Sequence, residues 1–184
     1  MKKFILFAAV LFSAVSLVKA DEPATNIGGN EGRTELTVTL NPIQIITVNQ
    51  SGVNLIYNDR KDYNDGVKSN EENHLIVYST GGFTVTVKSL KDELLGVGDE
   101  SKTIPSNTIS VKASPAAGGF SLSPQSVALS MAGKTLFSSV TGGADLKYNV
   151  EYAGANLDQY FDKLFNAGEP SVFKTDVIYT ITPL

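Results

Sequence analysis

Few side chains in this sequence are suited to chemistry. The 184 residues include no cysteine and a single histidine, His74. The absence of cysteine excludes thiolate nucleophiles, thiolate metal sites and disulfides, and one histidine excludes multi-histidine metal sites. A serine hydrolase would depend on His74 as its only histidine base. We interpret His74 as a half-buried or edge residue of a strand rather than a catalyst.

The segment 58–66 concentrates oxygen ligands of the kind that calcium prefers. It reads Asn-Asp-Arg-Lys-Asp-Tyr-Asn-Asp-Gly, and calcium binds carboxylate and carbonyl oxygens on flexible turns. The spacing does not match an EF-hand loop, and Arg60 and Lys61 reduce the negative charge. We therefore predict a solvated turn between strands, with weak calcium binding left open.

A second acidic cluster lies around Gly96 and Gly98. Two carboxylates can act as acid and base in a glycosidase, but nothing in the sequence sets two of these acids beside an aromatic cleft, and the chain has no tryptophan. We interpret the cluster as a surface loop and predict a non-enzymatic protein without catalytic residues, cofactor or metal. The acids are Asp92, Glu93, Asp99 and Glu100.

Residues 1–20 have the features of a cleavable signal peptide. Lys2 and Lys3 precede an apolar run over 4–18, and Val18-Lys19-Ala20 sets small residues at the −3 and −1 positions of a cleavage site. The run is shorter than the roughly 20 residues of a membrane-spanning helix. We therefore expect export, through the periplasm to the cell surface or medium, with no membrane insertion after cleavage.

The exported part is acidic and has the size of one domain. Residues 1–20 contain three lysines and no acid, so their removal takes the formal net charge from −4 to −7. An acidic surface disfavours binding to nucleic acid and to anionic membranes. The remaining chain of about 164 residues can build a core without disulfides.

The elements that would carry any site are predominantly strands. Residues 21–33 are polar and glycine-rich and are predicted to be flexible, and residues 34–184 are predicted to form one β-sandwich. Alternation of apolar and polar residues begins at Thr34 and returns along the chain, and Ser79-Thr80-Gly81-Gly82 is typical of a hairpin turn. Further strands are predicted at 43–48, 53–57, 74–79, 83–88, 108–113, 126–131, 135–140, 146–152 and 173–181.

One segment follows a helical period instead. In 156–168 the apolar residues are spaced i, i+3, i+4, i+7 and i+8, which predicts a short amphipathic helix near the C-terminus. Asn156 can cap its start and Gly168 its end. The helix is expected to cover an open end of the sandwich, or alternatively to dock a partner. The fold class predicted is thus all-β, an immunoglobulin-like β-sandwich with one short helix.

The first alternating run is Thr34-Glu35-Leu36-Thr37-Val38-Thr39-Leu40-Asn41-Pro42-Ile43, and it is followed by the strands at 53–57, 74–78 and 83–88 and by the final strand at 177–182. This arrangement resembles the major pilins of the cysteine-free colonisation-factor type, the CS1/CFA class of chaperone–usher fimbriae. The resemblance covers about residues 34–90 and 170–184. It implies donor-strand assembly, in which the N-terminal strand of one subunit fills a groove of the next. It also implies a periplasmic chaperone and an outer-membrane usher as partners.

On this resemblance, residues 34–43 are the donor strand of a fimbrial subunit that polymerises with itself and supports adhesion. Alternation identifies a strand but not its partner, so pairing within the same domain stays open. One alternative is therefore a monomeric secreted module that binds glycan or protein, with an aromatic patch around Tyr57, Tyr63 and Tyr78. A hydrolase using the acidic loops is the second. The residues expected to enter the groove are Leu36, Val38, Leu40 and Ile43.

Overall fold

The computed structural model describes residues 29–116, 118–120, 122, 125–166 and 168–184. The predicted signal peptide and residues 21–28 of the predicted flexible segment lie outside the described residues. The chain divides into two compact units, residues 1–40 and 41–184. In the first unit, the described residues 29–40 belong to no helix or strand.

The second unit is built from antiparallel strands, which confirms the all-β prediction. Its described residues form eleven strands, one α-helix and one 3-10 helix. The helices are α1 (Arg60–Asp65) and a 3-10 turn at Ser106–Thr108. The strands are β1 (Gln44–Val48), β2 (Lys68–Ser79), β3 (Phe83–Ser89), β4 (Glu93–Gly96), β5 (Thr103–Pro105), β6 (Ser110–Pro115), β7 (Ser126–Ala128), β8 (Lys134–Ser139), β9 (Gly143–Ala153), β10 (Phe173–Lys174) and β11 (Val177–Pro183).

These strands form three antiparallel sheets. The largest has the order β1-β2-β9-β6-β7, the second has the order β11-β3-β8, and the third consists of β10-β4-β5. The third sheet corrects the sequence analysis in part. The acidic segment predicted as a surface loop contains strand β4, which pairs with β5 from Glu93↔Pro105 to Leu95↔Thr103.

One apolar core is shared by the first two sheets. Strand β3 alternates strictly, so that Phe83, Val85 and Val87 are buried while the residues between them are not. This is the period of two that a strand with one buried face requires. The ring of Phe137 in β8 lies 4.4 Å from that of Tyr148 in β9, centroid to centroid. The two sheets therefore enclose a single hydrophobic cluster.

The link from β2 to β3 is a crossover between sheets and not the predicted hairpin. The two strands belong to different sheets, so Ser79-Thr80-Gly81-Gly82 carries the chain from one face of the core to the other. Gly82 passes close to the end of β8, where an added Cβ would lie 3.0 Å from the carbonyl oxygen of Val140. The same turn residues suit either connection, and the sequence does not distinguish them.

The predicted helix over 156–168 is not confirmed. The described residues 157–162 form successive turns, and Leu157 and Asp158 have φ of 54° and 59°. Their backbone N–H groups donate to the carbonyl oxygens of Asn64 and Tyr63 at the end of α1. Bonds to another segment and left-handed backbone thus replace the i→i+4 bonds that a helix needs.

The predicted solvated turn over 58–66 contains α1. Asp59 caps this helix, because its side chain accepts a hydrogen bond from the backbone N–H of Asp62 at 3.0 Å. Neither of the two described helices has the length or the apolar character that crossing a bilayer requires.

Candidate functional site

The predicted donor residues divide into two groups. Leu36, Val38 and Leu40 lie in the first unit and are 87%, 73% and 88% exposed. Three alternate apolar side chains are therefore open to solvent. Such an apolar run is a candidate for pairing with another chain.

Ile43 behaves differently, because it already has a partner in its own unit. Its backbone N–H donates to Thr80 Oγ1 at 2.9 Å, and its carbonyl oxygen accepts from the Thr80 N–H at 3.0 Å. From Gln44 onward β1 pairs with β2, beginning at Gln44↔Ser79. β1 is an edge strand with Ile45 and Val48 exposed.

Strand β11 has one edge that pairs with no strand of the described residues. Among the described residues it pairs only with β3, from Val177↔Ser89 to Pro183↔Phe83. Its core-facing residues Val177, Tyr179 and Ile181 are only partly buried, although the β3 residues opposite them are fully buried. The remaining exposure therefore lies on the side of β11 that faces away from β3.

The segment 53–57 also packs on the core without pairing in a sheet. Val53, Leu55 and Tyr57 are partly buried against the core, while Asn54 and Ile56 are exposed. The alternation predicted from the sequence is present, but the predicted strand is not, since the segment joins no sheet. β1, which precedes it, has Cα atoms within 8 Å of β11. This side of the core is thus bordered by backbone that has free hydrogen-bonding capacity.

A buried polar network ties β11 to the rest of the core. His74 Nδ1 is 2.6 Å from Gln50 Oε1, and His74 Nε2 is 2.8 Å from the Tyr152 hydroxyl. Because Gln50 Nε2 donates to the carbonyl of Glu72, Oε1 is the acceptor and His74 carries its proton on Nδ1. The Tyr152 hydroxyl then donates to Nε2 and accepts from the Tyr179 hydroxyl.

Each titratable group in this network is held neutral. Burial lowers the pKa of His74, with Glu71 opposing the shift, and burial raises the pKa of Tyr152 to about 12. Burial, followed by the neighbouring Tyr152, raises the pKa of Tyr179 above its usual range. Neutral groups with satisfied hydrogen bonds fit a structural role in positioning β11.

The inward position of His74 results from a β-bulge that no sequence pattern revealed. The register between β2 and β9 shifts between Glu71↔Val150 and Leu75↔Tyr148, so β2 has two more residues there than its partner. His74 and Leu75 are consequently both buried, at 2% and 0% exposure. The burial of His74 therefore corrects the expectation of a half-buried or edge residue.

The acidic segments form no metal-binding group in the part of the chain that the structure describes. At the start of α1, the capping residue Asp59 and the helical residue Asp62 accept hydrogen bonds from backbone N–H groups of their own segment. In the second cluster, Asp92 accepts from the N–H of Met131, and Asp99 accepts from Ser101. These hydrogen bonds to Ser101 lower the pKa of Asp99.

The aromatic residues named in the alternative do not form a single patch. Tyr57 and Tyr63 have ring centroids 5.3 Å apart. Tyr57 lies near the beginning of β2, since its hydroxyl is beside Gly154, whose N–H donates to the carbonyl oxygen of Val67. Tyr78 lies near the other end of the twelve-residue strand β2 and pairs with Ile45, roughly 30 Å away at about 3.3 Å per residue.

No protein-family model matches the chain, and no curated protein is significantly similar to it.

Proposed function

We propose that this chain is a non-enzymatic structural subunit of a cell-surface fimbria that assembles head to tail by donor-strand addition and supports adhesion. The observation that carries the proposal is the open edge of β11, with three core-facing side chains that are only partly buried. Such an edge can accept a strand that supplies backbone hydrogen bonds and alternate apolar side chains.

The order of the strands supports an incomplete immunoglobulin-like sandwich. In a constant-type immunoglobulin domain, strands A, B, E and D form one sheet and strands C, F and G form the other. β1, β2, β9 and β6 correspond in pairing and in chain order to A, B, E and D, and β3 and β11 correspond to C and F. The position of G is the open edge of β11. A strand added there would complete the sandwich.

The segment 34–40 has the properties of such a strand. It has seven residues, as β11 does, and it carries three apolar side chains at alternate positions. Burying a Leu or Val side chain contributes about 1.5–3 kcal/mol, so Leu36, Val38 and Leu40 together would contribute about 4.5–9 kcal/mol. Because Ile43 is bonded to Thr80, the incoming strand is proposed to end before it.

Addition to a neighbouring copy produces a contact that does not close into a ring. Donor segment and acceptor edge are different surfaces, so each subunit can offer one while using the other, and a fibre results. Before assembly, the resemblance to colonisation-factor pilins implies that a periplasmic chaperone protects the open edge and that an usher exports the subunit. An unprotected apolar edge would otherwise aggregate.

The experiment compares two double variants of the full chain, purified from the cell surface without boiling. Leu36→Asp with Val38→Asp places two charges on the apolar face of the donor segment. Thr37→Asp with Thr39→Asp is the matched control, since it adds the same charge on the opposite face. We expect the first pair to lose the heat-labile ladder on gels and the fibres in negative-stain electron microscopy.

The control pair should retain both ladder and fibres. Loss of about 3–6 kcal/mol of burial would weaken each subunit contact by at least about a hundredfold. If the Leu36 and Val38 variant polymerises normally, donor-strand addition by this segment is refuted. If the unmodified protein is a monomer, the N-terminal strand does not join subunits, and a secreted binding module becomes the better description.

A further inference from the structure

A polar cleft of about 560 Å³ lies on the second unit, on the outer face of the β2-β9-β6-β7 sheet. The end of α1, the turn at Ser106–Thr108 and the segment 154–159 line its sides. Its volume is within the range of about 300–1,000 Å³ that small-molecule sites occupy. The cleft is lined only by residues between 65 and 159, so its lining includes no residue of the donor segment or of β11.

The floor of the cleft is low because two small side chains, Ala153 and Ser110, lie side by side on the neighbouring strands β9 and β6. Ala153 in β9 is paired with Lys68 on one side and with Ser110 on the other. In the next row, Glu151 is paired with Lys112, and its carboxylate is 3.2 Å from Lys68 Nζ. Two short side chains beside longer ones leave a depression in the sheet face.

The charges that line the cleft balance. Asp65 and Glu151 supply two negative charges, and Lys68 and Lys112 supply two positive ones. A fully charged ligand would therefore meet no excess of opposite charge. The remaining polar groups are amides and hydroxyls, among them those of Asn107, Asn156, Gln159 and Ser126. Such a surface offers many donors and acceptors to an uncharged ligand rich in hydroxyl groups.

The backbone at this site is fixed by tertiary contacts. The Tyr57 hydroxyl donates to the carbonyl oxygen of Ala155 at 2.7 Å, and the N–H of Gly154 donates to the carbonyl of Val67 at 2.8 Å. Gly154 is required there because a Cβ would overlap the Tyr57 hydroxyl. A rigid site reduces the ordering cost of binding.

We propose that this cleft binds a neutral saccharide. None of the described residues that line it is aromatic, so recognition rests on hydrogen bonds rather than on ring stacking. Repetition of the cleft along a fibre would raise its affinity for a repeating saccharide through multivalency. The proposal does not depend on donor-strand assembly, since the cleft is complete within one subunit.

Saturation-transfer difference NMR tests the proposal, because it observes the ligand and works with monomer or fibre alike. The full chain is mixed with lactose, cellobiose and maltose, and separately with phosphocholine as a zwitterionic probe. Ala153→Trp fills the floor of the cleft. Lys147→Trp, on the same strand and the same face six residues away, is the matched control.

We expect saturation transfer to at least one disaccharide, its loss in Ala153→Trp and its retention in Lys147→Trp. Lys112→Ala, which leaves the backbone untouched, should weaken binding on the order of tenfold, while Lys134→Ala in β8 should not. Transfer to phosphocholine alone, transfer that survives Ala153→Trp and Lys112→Ala, or no transfer to any of the three disaccharides would each overturn the proposal. None of these results bears on whether fibres form.

Discussion

The buried chain of hydroxyls from Tyr179 through Tyr152 to His74 predicts a distinctive pattern of stability. Tyr152 is 5% exposed, and its hydroxyl both donates to His74 Nε2 and accepts from Tyr179. Replacing it by Phe leaves two buried polar groups without a partner. Each such group costs about 1–3 kcal/mol, so Tyr152→Phe should lower the free energy of unfolding by about 3 kcal/mol.

Tyr179→Phe should cost less, because the Tyr152 hydroxyl keeps its bond to His74. We expect about 1 kcal/mol. The double variant should be no less stable than Tyr152→Phe alone, since it removes the unpaired Tyr179 hydroxyl as well. The coupling between the two changes is thus favourable by about 1 kcal/mol or more, as for groups in one network.

Thermal unfolding of the monomer, followed by near-ultraviolet circular dichroism, measures these differences. For a unit of this size, 1 kcal/mol shifts Tm by about 3 °C, so Tyr152→Phe should lower Tm by about 10 °C. Tyr148→Phe is the control. Burial raises the pKa of Tyr148 and the Phe120 backbone partly opposes this, but its hydroxyl forms no hydrogen bond of good geometry among the described residues. The proposed network would be refuted if the double variant lost the sum of the two single losses in Tm, or if Tyr148→Phe lost as much as Tyr152→Phe.

Three further predictions follow from single contacts. Gly154→Ala should destabilise the protein by about 1–3 kcal/mol, because the new Cβ overlaps the Tyr57 hydroxyl, whereas Gly81→Ala, with no atom within 4 Å of the added Cβ, should change Tm little. Because burial lowers the pKa of His74, the unfolded chain binds a proton at low pH that the folded chain does not. The free energy of unfolding should therefore fall as pH drops below about 6.5. Urea titrations at several pH values should show that His74→Gln makes the free energy of unfolding depend less on pH. Asp59→Ala should lower the free energy of unfolding by about 1 kcal/mol through loss of the α1 cap, and chemical denaturation that shows no change would contradict the capping role.

Most strands were predictable because a buried face imposes a period of two on the sequence. The predicted strand at 83–88 is β3, Phe83–Ser89, and the predicted strand at 146–152 lies within β9, Gly143–Ala153. Pairing was less accessible, since alternation fixes which face is buried but not which strand lies alongside. The segment 53–57 shows the difference, for it alternates correctly and yet joins no sheet.

The helix predicted over 156–168 shows where a periodic pattern misleads. Of its apolar face, Tyr160 is buried at 8% exposure and bonded to Thr108, but Leu157, Phe161 and Leu164 remain exposed. The backbone N–H groups of Leu157 and Asp158 donate to carbonyl oxygens of α1 instead of to carbonyl oxygens within the segment. Isolated helices of this length are marginal without packing, so two tertiary hydrogen bonds are enough to select turns.

Only one of the two parts of the candidate site could be predicted from the sequence. The sequence predicts that residues 34–40 form an apolar strand in need of a partner, but it does not predict the proposed acceptor edge, because β11 has the pattern of an ordinary alternating strand. Partial burial of Val177, Tyr179 and Ile181 is a property of what lies beside β11 in space. No local pattern encodes it.

The partial burial of β11 also gives a reason for the position of the polar network, which bonds to this strand. A strand bonded on one edge only loses part of the packing that holds a central strand in register. The hydrogen bond from Tyr179 to Tyr152 connects the core-facing side of β11 to β9. The bond from Tyr152 to His74 extends this connection to β2. On the proposed function, this anchor keeps the acceptor edge straight and open until a donor strand arrives. Variants that break the network should therefore impair assembly more than their loss of stability alone explains.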